Sequence, residues 1–241
     1  MLKIIGALLV FVSLFAISPR VSAQSEALKS ALREVSASVN NESGDKALKK
    51  VINFLSLQID DLTKSLNAIK SISAEQEAIR QDFLDFLNES TEYLDGLVIN
   101  PDSDIKALAG EINDWRESIY NSHVNKIAEF LMVLQTKSLL KTADARLVKI
   151  GSDLARLRDL KILKDDKTQF LFNESNILLA AAGDLTNQAE LQLSTTTIAE
   201  LNSSADERKP GVRDLVFKAL TKIQQAYKRF IEISGIILPR P

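Results

Sequence analysis

The sequence predicts an all-α fold: two tandem three-helix bundles sharing one long continuous helix. Three observations predict it. The chain of 241 residues is rich in Leu, Ala, Lys, Glu, Asp, Ser and Ile, with only 8 Gly, 5 Pro and 6% aromatic residues, a composition suited to long helices. Its apolar residues recur three and four apart, the spacing that lines one face of a helix, and no period-two alternation of any length suggests a strand. After Pro19, proline stands only at 101, 210, 239 and 241. Because proline breaks helix interiors, these positions mark boundaries. The same stripes also allow a single compact up-down helical bundle.

Residues 1–23 read as a signal peptide. Lys3 supplies a positive n-region, Ile4 to Ile17 an apolar run, and Val21-Ser22-Ala23 a small-residue cleavage site. The run is too short for a comfortable membrane span. The mature chain is expected to begin at Gln24 and to be exported, as a periplasmic, cell-surface or extracellular protein. It has no Cys, so neither a disulfide nor a lipidated Cys is expected, and the core alone must hold the fold. That combination fits a bacterial exported protein. Residues 24–44 are expected to form a short helix and linker, with Leu28, Leu32, Val35 and Val39 on one face.

The first bundle is expected over 45–130. Its first helix carries Leu48, Ile52, Leu55, Ile59, Leu62, Leu66 and Ile69 as a heptad stripe. Ser73 with Gln76 then makes a capping box for a second helix, striped by Ile79, Phe83, Phe86/Leu87, Leu94 and Leu97/Val98. Asn100-Pro101 ends it, and Asp102 or Ser103 can cap the next helix. That helix is long. Ile105, Leu108, Ile112, Trp115, Ile119, Ile127, Phe130 and Leu134 line it, and Leu140, Ala143, Leu147, Ile150, Leu154 and Leu157 continue almost in phase. If helical from Ser103 to Leu163 it would span roughly 90 Å. Its weakest point is Tyr120-Asn121-Ser122-His123, poor helix formers in a gap of the stripe.

The second bundle is expected over 131–238. Asp165 to Thr168 read as a turn. Leu171, Leu178, Ala182, Leu185, Ala189 and Leu193 stripe the next helix, weakened by Gly183 and Thr195-Thr196-Thr197. A polar loop, Ser203 to Gly211, leads to the last helix, striped by Val212, Val216, Ala219, Ile223, Tyr227, Phe230, Ile233 and Ile237. Residues 239–241 are a tail. Asn-Glu-Ser occurs at 88–90 and again at 173–175, in the expected middle helix of each bundle, which supports a repeated topology. Asn41, Asn88, Asn173 and Asn202 head Asn-X-Ser sequons, but Asn-Glu-Ser in mid-helix reads as a polar-face tripeptide rather than a glycan site.

The two-bundle arrangement resembles a pair of spectrin repeats in architecture only. The stretch ALAGEINDWRESI (Ala107 to Ile119), in a long helix behind a signal peptide, is similar to a loose group of uncharacterised exported bacterial helical proteins. That resemblance implies no activity and no role for any residue.

The chain offers little chemistry. Its single His, His123, has Ile119, Tyr120, Lys126 and Ile127 at helical spacing, none a suitable metal ligand. Ser122 adjoins it but points about 100° away. No nucleophile elbow or phosphate loop occurs. The carboxylate groupings Asp60-Asp61, Asp82/Asp85/Glu89/Glu92 and Asp165-Asp166 read as solvated faces or a turn. Trp115 reads as a core residue. The expectation is no enzyme, no cofactor and no metal.

Charge is more informative. Residues 24–130 hold 11 Lys+Arg against 19 Asp+Glu, net −8; residues 131–241 hold 17 against 13, net +4. Lys137, Lys141, Arg146, Lys149, Arg156, Arg158, Lys161 and Lys164 lie along the shared helix, and Lys218, Lys222, Lys228 and Arg229 add to them. Such a surface suits an anionic envelope polymer, anionic lipid heads, another protein, or the acidic half of a second copy. Nucleic acid does not fit the compartment or the net charge of −2. The expected function is a non-enzymatic helical rod, a structural, adhesive or scaffold module at the bacterial envelope. The alternatives are a membrane-acting amphipathic protein, suggested by the apolar stretch Ile233 to Leu238, and a helical solute-binding protein. No transmembrane segment is expected in the mature chain.

Overall fold

The computed structural model describes residues 41–70, 72–97, 104–162, 166–195 and 210–237. The expected signal peptide, most of the N-terminal helix, Pro101, Lys164, Asp165, most of the polar loop and the tail lie outside these residues. Every regular element described is helical: α1 (Asn41–Asn67), α2 (Ala74–Asp95), α3 (Ile105–Trp115), a π-helical turn (Arg116–Tyr120), α4 (Asn121–Asp159), α5 (Asp166–Thr195) and α6 (Val212–Ile237). No described helix is long and apolar enough to cross a membrane. Two compact units divide the chain, Met1–Ala128 and Glu129–Pro241.

In the first unit, α1 packs on α2 and α3. It buries Leu48, Val51, Leu55, Ile59 and Leu66, the i, i+3, i+4 face its stripe dictates. Ile52 and Leu62, expected in that stripe, lie at its half-buried edge, and Val51 takes an inner place. The capping box at the start of α2 forms as read. The Gln76 N–H donates to Ser73 Oγ at 3.2 Å, and the Ser73 N–H donates to Gln76 Oε1 at 3.1 Å. Two orphan donors of the first turn are thereby satisfied. Helix α2 buries Phe83, Leu87, Ser90 and Leu94. The cap of α3 is Asp104, not Asp102 or Ser103. Its Oδ1 accepts from the Lys106 and Ala107 N–H groups, each at 3.1 Å.

The helix beginning at Ile105 does not break at Tyr120–His123. It widens just before that stretch. The Asn121 N–H donates to the Arg116 carbonyl five residues back, and Ser118 Oγ donates to the Asp114 carbonyl at 2.5 Å, a back-bond that bends helices. One extra residue in the turn shifts the inward face. Ile112, Arg116, Tyr120 and Val124 point inward, while Ile119 is 46% exposed and Trp115 half-buried. The expectation that Ile119 continues the stripe fails for this reason.

In the second unit, α5 and α6 pack along each other. Both meet the part of α4 after Glu129. Leu154 (α4), Leu171 (α5) and Ile233 (α6) form one buried cluster, with Ile150, Phe172, Ile236 and Ile237 against it. Helix α6 buries Val212, Leu215, Val216, Ala219, Leu220, Ile223, Ala226, Phe230 and Ile233. Full burial of one such side chain as Ile223 is worth about 1.5–3 kcal/mol. Tyr227, expected inside, is half-buried, and Ala226 takes the inner position.

Helix α5 buries Leu171, Ala182 and Ala189 of the expected stripe, with the inward face rotated modestly from it. Its buried residues are Thr168, Leu171, Ser175, Leu179, Ala182, Thr186 and Ala189, while Leu178, Leu185 and Leu193 are half-buried. A small residue permits close approach at one place: a Cβ built on Gly151 would sit only 2.9 Å from the Phe172 ring, whereas one on Gly183 would make an ordinary 3.6 Å contact with Leu140 Cδ2. The buried hydroxyls are satisfied locally, Ser175 Oγ on the Leu171 carbonyl (2.8 Å) and Thr186 Oγ1 on that of Ala182 (2.7 Å). The opposite face carries Phe170, Ile177 and Leu191, each at least 64% exposed.

Helix α4 ends in a Schellman motif. The Ile162 N–H donates to the Leu157 carbonyl (3.0 Å) and the Lys161 N–H to that of Arg158 (2.8 Å). Lys161 occupies the left-handed position, φ 56°, which glycine usually fills.

Both copies of the tripeptide lie within helices, on α2 and α5, with the same pattern of exposure. Asn88 and Asn173 are exposed, Ser90 and Ser175 buried. Eighty-five residues also separate buried Phe83 from buried Thr168 and buried Leu94 from buried Leu179.

Candidate functional site

Helix α4 displays the basic residues the sequence singles out, but not as one free face. At about 100° per residue, Lys149 and Arg156 lie within about 20° of each other and Lys141 about 80° away. All three are exposed, as are Arg158 and Lys161 near the helix end. Lys137 and Arg146 are engaged. Lys137 Nζ donates to both carboxylate oxygens of Glu190 on α5, each at 2.8 Å. The Arg146 guanidinium lies 5.0 Å over the Tyr227 ring, a cation–π contact. Burial pushes the Tyr227 hydroxyl pKa up, and Arg146 partly opposes the shift.

The residues added from α6 divide likewise. Arg229 is held by Glu174 on α5 (3.0 Å) and Glu232 (2.8 Å), and these two partners, Glu174 first, raise its pKa. Lys218 and Lys228 are exposed and Lys222 half-buried. Asp144, Asp153 and Asp159 are exposed on α4 among the basic residues. The face is therefore a narrow basic strip bordered by carboxylates. At ordinary ionic strength, fields from such exposed charges decay within about 8 Å.

The carboxylate groupings of the first unit are exposed. Asp60 pairs with Lys64, and Asp85 accepts from Gln81 at 2.8 Å. Among the described residues no three His, Asp or Glu side chains gather in a metal-holding group. His123 Nδ1 lies 2.9 Å from the Ile119 carbonyl. A carbonyl only accepts, so Nδ1 carries the proton there.

A second constellation was not anticipated. Around the π turn, Tyr93, Trp115, Tyr120, Phe86 and His123 form a continuous row. Ring centroids are 4.6 Å apart for Tyr93–Trp115, 4.9 Å for Trp115–Tyr120, 6.2 Å for Phe86–Tyr120 and 3.9 Å for the stacked Phe86–His123 pair. Tyr120 donates its hydroxyl to Gln58 Oε1 of α1 at 3.3 Å, and burial raises its pKa strongly. Beside the row, Arg116 is 1% exposed. Its Nη2 donates to Glu117 Oε1 at 3.0 Å and, more weakly, to Asn113 Oδ1 at 3.4 Å. Its Nε and Nη1 have no acceptor among the described residues. The sequence signal for this cluster was the gap in the stripe after Ile119. Hydropathy alone could not reveal that an arginine would fill an inner position.

The chain matches no protein-family model, no curated protein and no solved structure.

Proposed function

We propose that this chain is an exported, non-enzymatic scaffold module of the bacterial envelope, built as two tandem three-helix bundles sharing the helix from Ile105 to Asp159. The observation that carries the reading is the exposed strip Lys141, Lys149 and Arg156 on α4, whose proposed partner is an anionic envelope polymer. The two lysines, point charges on flexible stems, suit a polyanion read by charge rather than by fit, and Arg156 adds a planar fork that pairs with phosphate or carboxylate. The aromatic row supports the non-catalytic reading: its rings contact one another and fill the space between α2 and the π turn.

The test is co-sedimentation of the exported protein with isolated envelope at increasing salt. Binding should fall steeply with salt, and the triple variant K141E/K149E/R156E should lose it while keeping wild-type helicity. Wild-type protein that binds no envelope fraction, or a triple variant that binds unchanged, would sink the proposal. Solution scattering tests the arrangement separately: one helix of about 55 residues running through both bundles requires a maximum dimension on the order of 80–100 Å.

A further inference from the structure

We infer that the first unit holds a buried oxyanion-binding site on Arg116, specific for a small carboxylate or phosphate. The guanidinium is 1% exposed. Its one protein carboxylate, Glu117, is 54% exposed and meets Nη2 through a single oxygen at 3.0 Å. Nε and both hydrogens of Nη1 are left as donors without an acceptor among the described residues. A buried charged donor left in this state costs several kcal/mol, and native proteins rarely retain one without a partner. An oxyanion answers both needs, since its oxygens accept from several N–H groups and its charge balances the guanidinium in a low-dielectric surrounding.

Two further observations accompany it in the first unit. Ser90 Oγ on α2 is a second buried polar atom without a partner among the described residues, on a residue 2% exposed. It stands three residues before Tyr93, whose ring lies 4.6 Å from that of Trp115, the neighbour of Arg116. Arg116 also opens the π turn, a deformation frequent at ligand sites. There its carbonyl is committed to Asn121, and the outward neighbours Glu117, Ser118 and Ile119 are exposed. The inference does not rest on the envelope reading, which concerns the other unit.

The experiment is thermal unfolding of the full chain in sodium acetate and, separately, sodium phosphate, each against sodium chloride of equal ionic strength. A specific site raises Tm as the logarithm of anion concentration above Kd, whereas general exclusion of a salt acts in near-linear fashion. One oxyanion should give the logarithmic rise, and which one does so distinguishes a planar carboxylate from a tetrahedral phosphate. Arg116→Met should abolish it. Glu117→Gln, which removes the competing carboxylate, should lower the midpoint concentration about two- to five-fold. A wild-type chain that responds to neither anion beyond chloride overturns the inference, as does a logarithmic rise persisting in Arg116→Met. Should Arg116→Met not fold, Glu117→Gln decides alone: an unchanged or raised midpoint overturns the site.

Discussion

Removing one hydroxyl, in Tyr120→Phe, should make the chain less stable at neutral pH and more stable at high pH. At neutral pH the variant loses the 3.3 Å bond to Gln58. That bond is long and Gln58 is half-exposed, so water can replace it, and the cost is about 0.5–1 kcal/mol. Burial raises the Tyr120 pKa in the folded state; unfolded, it returns to about 10. A folded pKa above the unfolded one means stability fully present below about pH 10 and lost as pH rises toward the folded pKa. The loss is about 0.8 kcal/mol at pH 10.5 and about 1.4 kcal/mol at pH 11. The two stability curves should therefore cross near pH 10.5. Urea unfolding followed by Trp115 emission is the assay, because the chain has 1 Trp and its ring lies 4.9 Å from Tyr120. Tyr93, whose pKa is also raised by burial and by Glu111, affects both proteins equally and cancels in the difference. Parallel curves from pH 7 to 11 would refute the argument that burial holds the Tyr120 proton.

Three further outcomes follow from geometry. Ser73→Ala removes one half of the capping box and should cost about 1 kcal/mol in denaturant unfolding; no measurable loss would show that the α2 terminus is held by packing instead. Lys161→Gly relieves a left-handed lysine, and should stabilise by about 0.5–1 kcal/mol after the added chain entropy of glycine, with Lys161→Ala near neutral as the control. Ile223→Ala opens a cavity at a fully buried position and should cost about 2–5 kcal/mol, read by circular dichroism on heating. A cost under about 1 kcal/mol would mean that α6 can collapse into the gap.

The helical class was legible because spacing three and four apart survives any exact register. The Ser73–Gln76 box was legible because capping depends on four consecutive residues. The π turn was not, since it depends on the Asp114 carbonyl being taken by Ser118 and on Arg116 facing inward, which no hydropathy ranking would place there. Helix α5 was legible in part, with Leu171, Ala182 and Ala189 buried as read. Leu178, Leu185 and Leu193 outrank Ser175, Thr168 and Thr186 in apolar character, yet close helix approach selects the smaller side chains for the interior. Of the basic residues, Lys137, Lys141, Arg146, Lys149, Arg156 and Arg158 lie on α4, Lys161 follows its end, and Lys164 lies outside the described residues. Their pairing was not visible, because Glu190 and Tyr227 stand far away in sequence from Lys137 and Arg146.

Helix α5 is frustrated by design of its own residues. During folding, its larger apolar side chains, Phe170, Ile177 and Leu191, compete for the interior with the face that finally wins. The inner face, with Leu171, Leu179, Ala182 and Ala189 inside and Leu178, Leu185 and Leu193 at its edge, wins in area by a margin that the outer Phe170, Ile177 and Leu191 narrow, and the close approach of Gly151 to the Phe172 ring adds shape to the choice. Shape is sensed late, when side chains interlock, so a collapsed state with α5 rolled over is expected early in refolding. Rollover in the folding limb of a chevron would report it. Ile177→Lys, which makes the rolled state costly while leaving the native interior intact, should straighten that limb and speed folding with little change in the unfolding rate.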